Sequence, residues 1–181
     1  MLTLINPVRR AEPFDHPDWV FEPEFDGFRA AAATVRGRLI SRNGDRLRRY
    51  EAAVLELLPK GHVFDGALVV LDRAGCPQLN ELMYGRGRPT YVAFDLLMAD
   101  GEDLRPLPLK ERSIGSRSPT ALSATGGRYT ARWVDADLES IVAKSLGDAY
   151  QPKLARWHKI LNRTYTQRHG RAEWFRERRG R

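Results

Sequence analysis

The octapeptide Glu22-Pro23-Glu24-Phe25-Asp26-Gly27-Phe28-Arg29 places three carboxylates, a turn-forming Asp-Gly pair and an arginine within eight residues. Trp19 to Glu22 and Phe28 to Val35, on either side, have the composition of strands. The spacing therefore predicts a loop between strands near a hairpin, a position where side chains converge on a ligand. Glu24, at the centre, is ionised at neutral pH, since a free glutamate titrates near about 4.3. An Asp-Gly pair standing alone is a turn signal and assigns no function.

Outward from this stretch, Arg36-Gly37 turns the second strand into a third over Arg38 to Arg42. Arg48 to Leu58 carries Val54, Leu55, Leu57 and Leu58 and stops before Pro59 and Gly61, which predicts a short helix. A strand over His62 to Leu71, a turn at Asp72-Arg73-Ala74-Gly75, a short helix over Gln78 to Tyr84 and a strand over Thr90 to Met98 follow. Ser113 to Arg128, rich in Ser, Gly, Thr and Pro without a period, predicts a loop. Asp135 to Leu138 is expected as a helical turn, and Ile141 to Lys144 and Arg156 to Leu161 as strands. Hairpin-joined strands interleaved with helices indicate an α+β fold with antiparallel sheets flanked by helices.

A chain of 181 residues with 42% apolar residues suits one folded domain, and no internal repeat is visible. No apolar run approaches the roughly 20 residues that span a bilayer, and Met1 to Arg10 lacks the layout of a secretory signal, so a cytoplasmic protein with no membrane partner is expected. The single cysteine, Cys76, excludes an intrachain disulfide, and the four histidines show no paired metal-ligand spacing. A net charge of +7 favours a polyanion, with nucleic acid the natural candidate. Solvated arginines spread through an arginine-rich composition are the alternative reading. Arg36, Arg38, Arg42, Arg46, Arg48 and Arg49 crowd one segment, however, and a second group of arginines crowds the tail.

Taken together with its neighbours, the octapeptide resembles motif I of the bacterial-type ATP-dependent DNA ligases, Glu-x-Lys-x-Asp-Gly-x-Arg, whose lysine attacks the α-phosphate of ATP. Glu24 stands at the lysine position. The resemblance runs from about Asp18 to about Arg171 as an ordered series. Ser41-Arg42-Asn43-Gly44 is similar to the family's Ser-Arg-Asn-Gly element, Phe64-Asp65-Gly66-Ala67 to motif III, and Tyr91-Val92-Ala93-Phe94-Asp95 to motif IIIa. Leu138-Glu139-Ser140-Ile141-Val142-Ala143-Lys144 is similar to motif IV, and Trp157-His158-Lys159-Ile160-Leu161-Asn162 to motif V. Tyr165-Thr166-Gln167 and Gly170-Arg171 match the usual ending.

The resemblance implies a covalent-nucleotidyltransferase fold over residues 1–175, a basic tail over 176–181 and no OB-fold domain. It also implies that Glu22, Arg29, Arg42, Phe94, Lys144 and Lys159 meet the nucleotide, that Glu139 meets Mg²⁺, and that ATP is the co-substrate. Arg42, Arg46 and Arg48 are the expected DNA-binding residues, with nicked or broken double-stranded DNA as partner. Phe94 suits base stacking and Arg42 suits phosphate, through its planar fork, although each also reads as an ordinary strand residue.

Four positions depart from the family pattern: Glu24 for lysine, Ala67 for glutamate, Ser140 for glycine and Leu161 for lysine. Glycine tolerates backbone angles that serine resists, so either a differently bent loop or slight strain is expected at Ser140. Bond formation at phosphorus needs an amine lone pair, and Glu24 supplies none. The expectation is a ligase-like domain whose self-adenylation is impaired or lost, with nucleotide or DNA affinity retained. Two alternatives stand beside it. One is an active ligase that uses another amine, Lys144 or Lys159, or a partner protein's domain in trans; the other is a basic nucleic-acid-binding module with no nucleotide site.

Overall fold

The computed structural model describes residues 2–112, 138–154 and 156–165. The loop expected over Ser113 to Arg128, most of the helical turn from Asp135, the end of the motif series and the basic tail lie outside them.

Alternating apolar residues along the strands build two sheets that share an inner layer. One has the order β1-β9-β8-β2, from β1 (Val8–Arg10), β2 (Trp19–Glu24), β8 (Ser140–Ser145) and β9 (Trp157–Leu161). The other has the order β4-β3-β5-β6-β7, from β3 (Phe28–Ala33), β4 (Arg38–Ser41), β5 (Val63–Val70), β6 (Pro89–Ala99) and β7 (Glu102–Asp103). Every pairing between the named strands is antiparallel, as expected, except that of β1 with β9, which is parallel. Ala31 and Leu97 of the second sheet pack with Val142 and Trp157 of the first, together with Leu4, Ile5 and Tyr150. The outer face of the second sheet is covered by α1 (Arg48–Leu55) and α2 (Leu79–Tyr84), through Val54, Leu55, Leu79 and Leu82.

Several element ends differ from the sequence reading for local reasons. β2 continues through Pro23 and Glu24, so these two residues lie in a strand rather than in a loop. Proline cannot donate to a ladder, but β2 is an edge strand, where one row of N–H groups needs no strand partner. α1 ends at Leu55, short of Leu58: Pro59 disfavours helical angles at Leu58 and has no N–H to donate to the Leu55 carbonyl. Gly27 answers to packing and not to turn geometry: a Cβ there would sit 2.3 Å from the Leu68 carbonyl oxygen, which brings the octapeptide against β5.

Behind the shared layer, Arg112 of α3 (Leu109–Arg112) and Asp95 of β6 form an ion pair with both side chains fully buried. Arg112 Nε donates to Asp95 Oδ1 at 2.9 Å, and its Nη1 to the carbonyls of Leu107 and Asp148 at 2.6 and 2.9 Å. Burial pushes the Asp95 carboxyl up to about 6, against the pull of Lys144 and Arg112. A folded pKa above the unfolded 3.8 means that this group's contribution to stability is full below that pH and is lost as pH rises through about 6. Arg112→Met leaves a lone buried carboxylate, and chemical denaturation at neutral pH is expected to show a loss of about 3–5 kcal/mol. That deficit should shrink as pH falls toward about 6 and stay level below it, because Asp95 without Arg112, which pulls its pKa down, takes up its proton at a higher pH than in the unaltered protein.

Candidate functional site

Strand register determines which side chains meet. Phe21, Ile141, Ala143 and Ile160 form an apolar cluster on the outer face of the first sheet, so period-2 alternation turns Glu22, Glu24, Ser140, Lys144, Lys159 and Leu161 to the inner face. Across β2, β8 and β9 these form rows: Glu22 pairs with Val142 and Val142 with Lys159, while Glu24 pairs with Ser140 and Ser140 with Leu161. Three of the four departures from the family pattern are therefore cross-strand neighbours in one row.

Within that face the charges pair diagonally. Lys159 Nζ lies 2.8 Å from Glu24 Oε2 and 3.1 Å from Glu139 Oε1. The Ser140 hydroxyl donates a short hydrogen bond to Glu24 Oε2. Lys144, 1% exposed, donates to Glu22 Oε2 at 2.5 Å and to the Phe94 carbonyl at 3.1 Å, and its Nζ lies 4.5 Å above the Phe94 ring and 4.4 Å above that of Trp157. Ser140 has ordinary strand geometry: Asp100 is the only non-glycine with positive φ among the described residues. The expected strain at Ser140 is absent because the residue sits in the ladder of β8, with its hydroxyl satisfied by Glu24.

From the opposite sheet, Arg29 reaches the same region. Its register partner on β5 is Ala67, whose methyl group offers no acceptor, and the fork turns diagonally to Asp65, with Nε to Oδ1 at 2.7 Å and Nη2 to Oδ2 at 2.6 Å. Tyr150 also donates to Asp65 Oδ2, at 2.5 Å. Burial opposes the Arg29 charge, but Asp65 outweighs it and pushes the guanidinium pKa up. Burial and the Asp65 charge both push up the Tyr150 hydroxyl. Arg29 Cζ lies 4.6 Å above the Phe94 ring, so two cations crowd this aromatic.

The fold thus gathers Glu22, Glu24, Arg29, Phe94, Glu139, Lys144 and Lys159 between the inner faces of the two sheets. It does not bring Arg42, Arg46 and Arg48 into this cluster: all three are exposed around β4 and the start of α1. The Arg42 backbone N–H donates to the Arg29 carbonyl at 3.1 Å, and Arg46 forms a two-bond fork with Glu51 at 2.7 Å each. Sequence reasoning missed Asp65 and Tyr150 as members of the site. Asp65 lay inside a quoted motif, whereas nothing in the sequence around Tyr150 signals a contact 85 residues away. Among the described residues no group of three or more His, Cys, Asp or Glu side chains could hold a metal, and the Glu139 carboxylate already accepts from Lys159. No helix among the described residues has the length and apolarity to cross a membrane.

Two facing, largely antiparallel sheets with paired lysines and carboxylates between them make up an α+β domain, and comparisons with known proteins identify its class as that of the DNA ligase nucleotidyltransferase domains. No family model matches the chain. It is 34% identical over 167 residues to the multifunctional non-homologous end joining protein LigD of Pseudomonas aeruginosa, a match covering 79% of this chain and 20% of that protein. It is 25% identical to the SPbeta prophage-derived DNA ligase-like protein LigB of Bacillus subtilis, covering 86% of this chain and 66% of that protein. Among solved structures, mycobacterial DNA ligase D complexed with ATP and MES superposes with a TM-score of 0.76 at 27% identity, over 89% of this chain and 60% of that one. The chain is a DNA ligase-like nucleotidyltransferase domain, similar to the ligase domains of these ATP-dependent enzymes, and it spans less than two thirds of the length of these relatives.

Proposed function

We propose that this domain has lost self-adenylation, and that it keeps a nucleotide-sized cleft and affinity for DNA. The observation that carries the reading is the Glu24 carboxylate, at the position of the family's nucleophile, held by the Lys159 ammonium at 2.8 Å and by the Ser140 hydroxyl. A carboxylate brings no amine lone pair to phosphorus, and at about 4 Å it repels a phosphate charge by on the order of 1–4 kcal/mol. Neither remaining lysine of the cleft is an available nucleophile in this arrangement. Lys144 is enclosed by Glu22, Phe94 and Trp157, and Lys159 serves two carboxylates.

ATP is the co-substrate implied by the family, and mycobacterial DNA ligase D was solved with it bound. In this chain Phe94 and Arg29 would meet the nucleoside part, whereas Mg²⁺, if it enters, relies on phosphate oxygens for most of its ligands. DNA is the implied partner, nicked or broken duplex in particular. The exposed guanidiniums of Arg42 and Arg48 suit phosphate contacts, with Arg46 beside them. Residues 1–175 act as one adenylation-type domain in this reading, with 176–181 a basic extension.

Incubation with Mg²⁺ and α-labelled ATP followed by a denaturing gel is expected to give no covalently labelled band. A labelled band that disappears in Lys159→Ala would establish instead an active enzyme using another amine. The triple variant Glu24→Lys, Ala67→Glu, Leu161→Lys is expected to regain label, because the supporting residues remain in place. Nicked DNA should be retarded at low salt, with affinity falling steeply as salt rises; no retardation at any salt would remove DNA from the account.

A further inference from the structure

Charge bookkeeping on the inner face of the first sheet gives two ammonium groups, Lys144 and Lys159, against three carboxylates, Glu22, Glu24 and Glu139. The nearby cation of the opposite sheet, Arg29, is neutralised by its fork to Asp65. Among the described residues this face therefore has more negative than positive charge where a polyphosphate chain would need the reverse. The third residue of the Glu24 row, Leu161, is apolar and adds no cation.

The row itself is mutually adapted. Ser140, fully buried, places its hydroxyl on the Glu24 carboxylate, and Lys159 reaches diagonally from the adjacent row to the same oxygen atom. A phosphate entering here would have to share Lys159 with two carboxylates that already offset its charge. A ligand without phosphate charge meets no such conflict. Phe94, a partly buried residue, could stack a base only alongside Lys144 and Arg29, whose charges are already paired with Glu22 and Asp65.

We propose that Glu24, positioned by Ser140, is a specificity determinant that turns the cleft from nucleoside triphosphates toward uncharged nucleosides. This rests on the reading that the cleft still takes a nucleotide-like ligand without adenylation. Discrimination then increases with each added phosphate, and it depends on the Glu24 carboxylate more than on the shape of the cleft.

Calorimetric titration of the full chain with adenosine, AMP and ATP, each with and without Mg²⁺, tests this. Adenosine is expected to bind at least tenfold more tightly than ATP, with AMP between them. Glu24→Gln, which keeps the size of the side chain, should narrow that ratio at least threefold, chiefly by strengthening ATP. Ser140→Gly, which frees the carboxylate from its fixed place, should narrow it less than Glu24→Gln does. ATP binding as tightly as adenosine to the unmodified chain overturns the proposal, as does failure of adenosine to bind or an unchanged ratio in Glu24→Gln. Intact mass measured on the same samples separates the two readings. Tight ATP binding at unmodified mass refutes the selectivity alone, whereas a mass increase of one adenylyl group refutes the loss of self-adenylation.

Discussion

The ion pair between Glu24 and Lys159 constrains everything else about the cleft. It joins the edge strand β2 to β9 across the intervening β8, at 2.8 Å, with the Ser140 hydroxyl on the same carboxylate oxygen. Because the pair faces the layer shared by the two sheets, its charges are part-buried and each depends on the other for compensation. Lys159 meets a phosphate only in competition with Glu24 and Glu139, whose charges already surround it. In a ligase-like frame, a lysine at position 24 would add to the positive charge of Lys159, whereas glutamate cancels it.

The same logic explains why the departures from the family pattern occur together. Glu24, Ser140 and Leu161 are register neighbours in one row, so exchange of one residue alters the environment of the others. A hydroxyl at position 140 is useful when its neighbour is a carboxylate, and a second lysine at position 161 has no phosphate to meet. Ala67 belongs to a parallel adjustment on the opposite sheet, where Arg29, facing a methyl group, turns to Asp65 and so to Tyr150. The site is a closed set of internal pairs, which is a more ordered outcome than random decay of a catalytic centre.

Much of this was legible in the sequence, because motif order placed Glu22, Glu24, Glu139, Lys144 and Lys159 and the structure gathers them. What was not legible depends on pairing between distant strands. Pro23 reads locally as an interruption, and only the edge position of β2 shows why the strand passes through it. Ser140 reads as a strained replacement for glycine until its register with Glu24 is known. Asp65 and Tyr150 gain their meaning from contacts 36 and 85 residues apart, and the buried Arg112–Asp95 pair likewise links elements that no local pattern connects.

A crystal structure of the protein grown with ATP and Mg²⁺ tests the central claim most directly. The account predicts Lys159 Nζ still within hydrogen-bonding distance of the Glu24 carboxylate and no phosphorus–nitrogen bond at any lysine. A phosphoramidate on Lys159 or Lys144, with Lys159 turned away from Glu24 onto the phosphates, would contradict it.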